Sequence, residues 1–462
     1  MQKLPRRQLF RRGAALSSLL IASERAGVCA MGEQRPLIAD PKRILDLPDG
    51  FSYRIISRSG ERMSDGYRIP GNPDAMGVFD TPDGVVLMRN HEISPDDRAN
   101  GPYPDGVTAP SEAYDAGAYG GVTRSVFDRN TLELRSHHMA LAGTLLNCAG
   151  GLSPWGWLSC EEVFSPNHGY VFLASAQAQH LQKARCIPAY GRFRHEAATV
   201  DPRTNIAYLT EDRPDAAFYR FVPTARDDPF RGRLQALRVV GQTNFDTSRM
   251  QIGETHPIDW VDVPEPDPTE DNVRLQARER GAASFVRLEG LWLSEDDAYF
   301  CATAGGPIGR GQIFRLRHSG ETPALTLLVQ SSDPDVLDMP DNITVAPNGQ
   351  LYVAEDGFEG NYLRRITPNG EIVDFARNAT SLSEFTGPCF SPDGGTMFVN
   401  IQHDGLTLAI RGPFDREHFG PTAQAHAAPE PWSIRPSVVG GIGTGLAVVA
   451  FAALARRKRK PR

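Results

Sequence analysis

The groups most able to do chemistry crowd into the twenty residues from Gly143 to Glu162, GTLLNCAGGLSPWGWLSCEE. They include a glycine pair (Gly150, Gly151), two tryptophans (Trp155, Trp157), the thiol of Cys160 and the adjacent carboxylates Glu161 and Glu162. The half after the glycines reads as a strand ending in polar groups. Alternation puts Cys160 and Glu161 on opposite faces and Cys160 and Glu162 on the same one. A thiol beside carboxylates at a strand end offers both soft and hard metal ligands. The plain alternative is a buried free cysteine next to a solvated turn.

More acidic residues recur where hydrophobic runs finish. Glu92 closes VVLMRNHE, Glu196 sits in GRFRHEA, and the pair Glu211-Asp212 ends IAYLTED. Glu289 sits in FVRLEG, Asp341 in MPDN, and Glu355-Asp356 ends LYVAED. Taken singly, each reads as a solvated turn or a capping carboxylate. Brought together they would repel one another unless cations occupied the site. The question is which architecture makes strand ends converge.

A recurring phrase answers it: a tight polar turn followed by a short hydrophobic strand. It appears as TPDGVVLMRN from Thr81, DPRTNIAYLTED from Asp201, LSEDDAYFCAT from Leu293, APNGQLYVAED from Ala346 and SPDGGTMFVNI from Ser391. Pro, Asp, Asn and Gly ahead of β-branched and aromatic residues punctuate hairpins. The chain holds 44 Gly and 36 Pro, and long helical periodicity is scarce, so the fold class is all-β. Spaced recurrence of one strand unit predicts a β-propeller of about six blades, with irregular insertions; a β-sandwich array is the competing arrangement. Equivalent strand ends of a propeller meet at one end of its channel. Residues 224–282, rich in Asp, Arg and Pro, read as an excursion between blades.

The ends stand apart. Residues 1–30 carry paired arginines (Arg6, Arg7) ahead of a short apolar run and resemble a twin-arginine export signal. Residues 31–414 are then the propeller, and 415–436 a linker in which Pro429-Glu430-Pro431 resembles the PEP motif of a bacterial sorting tail. Ser437–Ala455 has no charge and is followed by RRKRK, which predicts a transmembrane helix with a basic cytoplasmic tail over 437–462. These features predict an exported protein, periplasmic or on the cell surface, using the twin-arginine machinery and anchored by its C-terminal helix unless the tail is cleaved. The ends hold 12 of the 49 Lys and Arg and one of the 56 Asp and Glu, leaving 37 basic and 55 acidic side chains, a net of −18. No basic footprint for nucleic acid is present, and excess carboxylate suits calcium. With Cys29 in the signal, five cysteines remain; one disulfide, such as Cys148–Cys186, is compatible with them, and Cys160 is the expected odd thiol.

Read in order, NHE, GTLLNCAGG, SCEE, HGYVF, GRFRHEA, YLTEDR, FYRFVP, RLEG, PDNITVAPNG, EDG and SPDGGTMFVNIQ resemble the motifs of PhoX alkaline phosphatases over roughly residues 45–415. The resemblance implies a propeller phosphatase with a mixed cluster of ferric iron (Fe3+) and calcium (Ca2+), attack by a metal-bridging oxygen or water, and small phosphate esters as substrates. It implies Cys160 as an iron ligand, Glu196 and Glu289 as metal ligands, and Arg287 as the phosphate-binding, catalytic arginine. Glu92, Glu161, Asp212, Asp341 and Glu355 are the further ligands it implies. Two departures stand out: Pro154-Trp155-Gly156-Trp157 is one residue shorter than the family's stretch, and Leu288 replaces a proline between Arg287 and Glu289. Two other functions stay open on sequence: a calcium-only hydrolase of another ester, and a non-catalytic, calcium-stabilised propeller.

Overall fold

The computed structural model describes residues 31–414 except 33, 105, 321, 368 and 369. The export signal, the PEP linker and the 437–455 span lie outside the described residues. Among the described residues no helix is long and apolar enough to cross a membrane.

Among the described residues the strands form five hydrogen-bonded antiparallel sheets of six, three, nine, four and four strands, with one short α-helix, Val273–Glu279. Six inner strands organise them: Pro73–Thr81, Asn147–Ser153, His195–Val200, Leu288–Leu293, Pro340–Val345 and Phe385–Phe390. Each packs beside the next, and the last packs beside the first, so they close a ring. From each, the chain turns outward through a second strand in the same sheet.

The turns between inner and second strands are the recurring phrase of the sequence, five times over. The remaining one, Ser153-Pro154-Trp155-Gly156 between Asn147–Ser153 and Gly156–Glu161, is the same device with tryptophan in the turn. Buried rings fill the space around the inner strands: Phe285 stands edge-on to Phe300 and Phe314, which stack on each other, and Phe218 tilts against Phe300. A cavity of about 480 Å³ runs along the ring axis, with Met76, Gly150, Val200, Leu291, Ile343 and Pro388 in its wall.

N-terminal strands zip the ring shut. Ser52–Arg58 pairs with Leu406–Arg411, so the last sheet contains strands from both ends of the described chain. Leu45–Pro48 likewise extends the sheet of Pro340–Val345 by pairing with Ile372–Asn378. The segment 224–282 is not a plain excursion. It carries the outer strand Asp228–Val239 and the strand Thr255–Asp262, which bridges to Ala324–Gln330 and makes two neighbouring sheets one of nine strands. Its Asp and Arg residues alternate outward on these strands, which is why composition reads as loop; Arg238 and Asp259, for instance, pair across the sheet at 2.8 Å. The Cys148–Cys186 disulfide does not form: all five described cysteines are free.

Candidate active site

Five of the six inner strands begin the same way. The second residue of each is Asp74, Cys148, Glu196, Glu289 or Asp341, and Glu384 immediately precedes the sixth. At this position in five inner strands, and just past it in the sixth, the strand bulges, two residues facing one on its partner: between Pro73 and Met76, Asn147 and Gly150, His195 and Ala198, Leu288 and Leu291, Pro340 and Ile343, and Thr386 and Cys389. A bulge bends the strand and re-aims its side chains, here all toward the same mouth of the ring. Asn72, Leu146, Arg287 and Met339, each directly before an inner strand, have φ between 41° and 52°. Left-handed backbone at leucine, methionine and arginine costs of order 1–3 kcal/mol each. The strand starts are held under strain where the acidic side chains gather.

A second set comes from the residue just beyond five of the six second strands: Glu92, Glu162, Asp212, Asp356 and Gln402. The two sets interleave. Ligand atoms of Cys148, Glu162 and Glu196 lie within 4.8 Å of one another, as do those of Glu196, Glu289 and Asp341, and those of Asp341, Asp356 and Glu384. Glu196 and Asp341 are shared, so the three groups run into one cluster. Gln402 extends it, its Nε2 donating to Asp74 at 3.1 Å and Glu92 at 2.9 Å.

Two guanidinium groups face this acidity. Arg287 donates through Nε and Nη2 to both oxygens of Asp212, each at 2.9 Å, and through Nη2 to Glu289 at 2.9 Å. Its Nη1 has no hydrogen-bond partner among the described residues. Arg194 pairs with Glu162, with Asp212 at 4.0 Å, and its Nε is buried without a partner. Two arginines do not neutralise Asp74, Glu92, Glu162, Glu196, Asp212, Glu289, Asp341, Asp356 and Glu384.

The electrostatics follow. Burial is the main force raising the carboxyl pKa values of Asp74, Glu162, Glu196, Glu289 and Glu384 well above the ordinary range, and neighbouring carboxylates push the same way. Asp341 rises to about 7, from burial and then the charge of Asp356. The Cys148 thiol is driven up by burial and by Glu196 and Glu162. Without added positive charge these groups keep protons; with cations they can give them up. The donors fit cations of two kinds. One corner mixes a thiol with two carboxylates, and the other two groups are carboxylate only.

The structure brings together Glu92, Glu196, Asp212, Arg287, Glu289 and Asp341 from the sequence reading. It holds Cys160, Glu161 and Glu355 apart. Cys160 is fully buried in an apolar cluster with Leu158, Val171, Phe193 and Tyr219, and Cys148, from the NCAGG motif, takes the corner assigned to it. Glu161 accepts from the backbone N–H groups of Leu145 and Gly169, both at 2.9 Å, and bonds His168 Nδ1 at 2.7 Å. Glu355 accepts from Asp338 N at 2.9 Å and Arg364 Nε at 2.8 Å. Both side chains turn into the wall, and their successors Glu162 and Asp356 turn into the site. Sequence reasoning also missed Asp74, Arg194, Glu384 and Gln402. Arg194 was legible beside Glu196; Asp74 and Glu384 carry no local signal.

A family model described as "Alkaline phosphatase PhoX" matches residues 32–137 and 128–405. The chain belongs to the PhoX family of alkaline phosphatases. It is therefore an alkaline phosphatase by family, and the clustered mouth of the ring is its candidate active site. The solved structure of Pseudomonas fluorescens PhoX in complex with vanadate, a transition state analogue, is 19% identical, covers 84% of this chain and 98% of its own, and has a TM-score of 0.63. At that identity the likeness shows the fold. A gluconolactonase from Xanthomonas campestris, 13% identical over 85% of this chain and 99% of its own, has a TM-score of 0.42, and nothing is drawn from it. No curated protein is similar in sequence.

Proposed function

We propose that this PhoX chain is a metal-dependent phosphomonoesterase with six blades, one per inner strand, working outside the cytoplasm. The observation that carries the metal dependence is the surplus of buried carboxylates over guanidinium groups at one mouth of the ring. The residues fit a mixed cluster: Cys148, Glu162 and Glu196 would hold iron, and the Glu196–Glu289–Asp341 and Asp341–Asp356–Glu384 groups would hold calcium. Bound cations supply the positive charge that admits a phosphate dianion to an acidic site and polarises its P–O bonds.

The chain's own groups then bind and orient. Arg287 is fixed in a fork by Asp212, which leaves Nη1 to donate to a phosphate oxygen; an ionised donor and acceptor make the stronger class of hydrogen bond. The backbone strain at Arg287 fixes its approach further. Arg194 lies 4.0 Å from the Oδ2 of the same carboxylate and adds charge without a fork. Export by the twin-arginine route and retention by the 437–455 segment complete the proposal. They are supported by the paired arginines, the uncharged run and the net −18 between the ends.

The test is hydrolysis of p-nitrophenyl phosphate by the purified protein, before and after calcium chelation. Turnover that falls at least a hundredfold on chelation and returns with calcium is expected. Turnover indifferent to chelation would overturn the metal dependence.

A further inference from the structure

We infer that the pocket beside the cluster receives the alcohol half of the ester and is built for an alcohol bearing further hydroxyl groups, a polyol or sugar phosphate; this rests on the phosphatase reading. The pocket, about 340 Å³, begins at Asp356 and Glu384 of the cluster and opens outward between two loops carrying Ser381, Ser383, His403 and Asp404. Its far wall sets Leu382 among polar groups that are already held in place. The Ser381 hydroxyl donates to Asp404 Oδ2 and itself accepts from Ser383 N at 3.0 Å. Ser383 Oγ accepts from the backbone N–H of His403 at 2.9 Å and lies 3.5 Å from its Nδ1.

The loops behind these groups are tied down in turn. Asn378 Oδ1 accepts from Thr380 N at 2.8 Å, and Gly405 N donates to Gln402 O at 2.9 Å across the turn, where Gly405 has φ 62°. Gln402, next to His403, is the residue that donates to Asp74 and Glu92, so the wall is anchored to the cluster itself. The serines thus spend one side of each polar group. Asp404 Oδ1 and His403 Nε2 are left without a hydrogen-bond partner among the described residues. A carboxylate oxygen that accepts and an imidazole nitrogen that exchanges a hydrogen bond, side by side, match a hydroxyl-bearing group. An aryl group seated there would strip water from both and return only apolar contact with Leu382, and a site discriminates strongly when its polar groups are left unpaired.

The test compares kcat/KM for glycerol 2-phosphate with that for phenyl phosphate, in the metal-loaded protein and in Asp404→Ala, His403→Ala and Asp404→Asn. The parent should favour the glycerol ester. Asp404→Ala should lower the ratio about tenfold, and His403→Ala about threefold, from the usual worth of charged and neutral hydrogen bonds. Asp404→Asn keeps an acceptor and should hold the ratio within threefold of the parent. A merely structural role for these residues would lower both esters together. A parent that favours phenyl phosphate, or alanine variants with an unchanged ratio, would overturn the inference. Failure to hydrolyse either ester would instead sink the phosphatase reading beneath it.

Discussion

Glu161 is a hub and Glu162 a site residue, although nothing in their side-chain chemistry separates them. Removing the charge of Glu161 leaves buried N–H groups at Leu145 and Gly169 facing a weaker acceptor, a loss of about 1–3 kcal/mol. Removing that of Glu162 relieves repulsion from Asp212 and Glu92. Glu161→Gln should therefore lower the melting temperature with metals present or absent. Glu162→Gln should raise it in chelated protein while weakening metal binding. Differential scanning calorimetry on both variants, with and without calcium, checks this; equal effects would refute the division of labour. The same one-residue question decided how much of the site was legible. Carboxylates were visible at four of the six second-strand ends, the other two being followed by Thr303 and Gln402. In the pairs Glu161-Glu162 and Glu355-Asp356, however, the strand's last residue faces the wall and its successor faces the mouth. Register decides this, and a shift of one residue swaps the faces. Glu92, a lone candidate at its strand end, and Asp212, preferred in the sequence reading to Glu211, both lie at the mouth. Cys148 and Cys160 exchange places for a related reason: a bulge follows Asn147, and no spacing rule shows a bulge before pairing is known.

At the scale of the elements, closure depends on chain from before the first inner strand. Leu45 and Leu47 bury almost completely when Leu45–Pro48 joins its sheet, worth about 3–6 kcal/mol at the usual value for a leucine. Ser52–Arg58 adds the last strand of the closing sheet. Set against a typical total stability of about 5–15 kcal/mol, a chain beginning at residue 59 should lose its cooperative thermal transition. Circular dichroism melting tests this, and a cooperative melt within about 5 °C of the parent would contradict it. The recurring turn phrase made the architecture readable, because turn chemistry is local. The outer strands of 224–282 were not readable, since their charged residues face solvent and pair across strands in a way composition does not reveal.

For the whole molecule, the cluster makes stability depend on pH and metal together. Asp341 is held up to about 7 and its neighbours are raised in the same direction. Between an ordinary carboxyl pKa near 4 and these raised values, the folded state binds more protons than the unfolded one, so stability falls as pH rises. Chelated protein should thus melt lower at pH 8 than at pH 5. Cations that bind only the folded cluster should cancel or reverse the slope. A chelated protein with equal melting temperatures at the two pH values would show that the carboxylates are not in conflict.

The most direct measurement is iron and calcium content, by plasma mass spectrometry, of the parent protein, Cys148→Ser and Cys160→Ser purified side by side. The account predicts iron and calcium in the parent, loss of iron with retained calcium in Cys148→Ser, and both metals kept in Cys160→Ser. Iron that survives in Cys148→Ser and disappears in Cys160→Ser would contradict it.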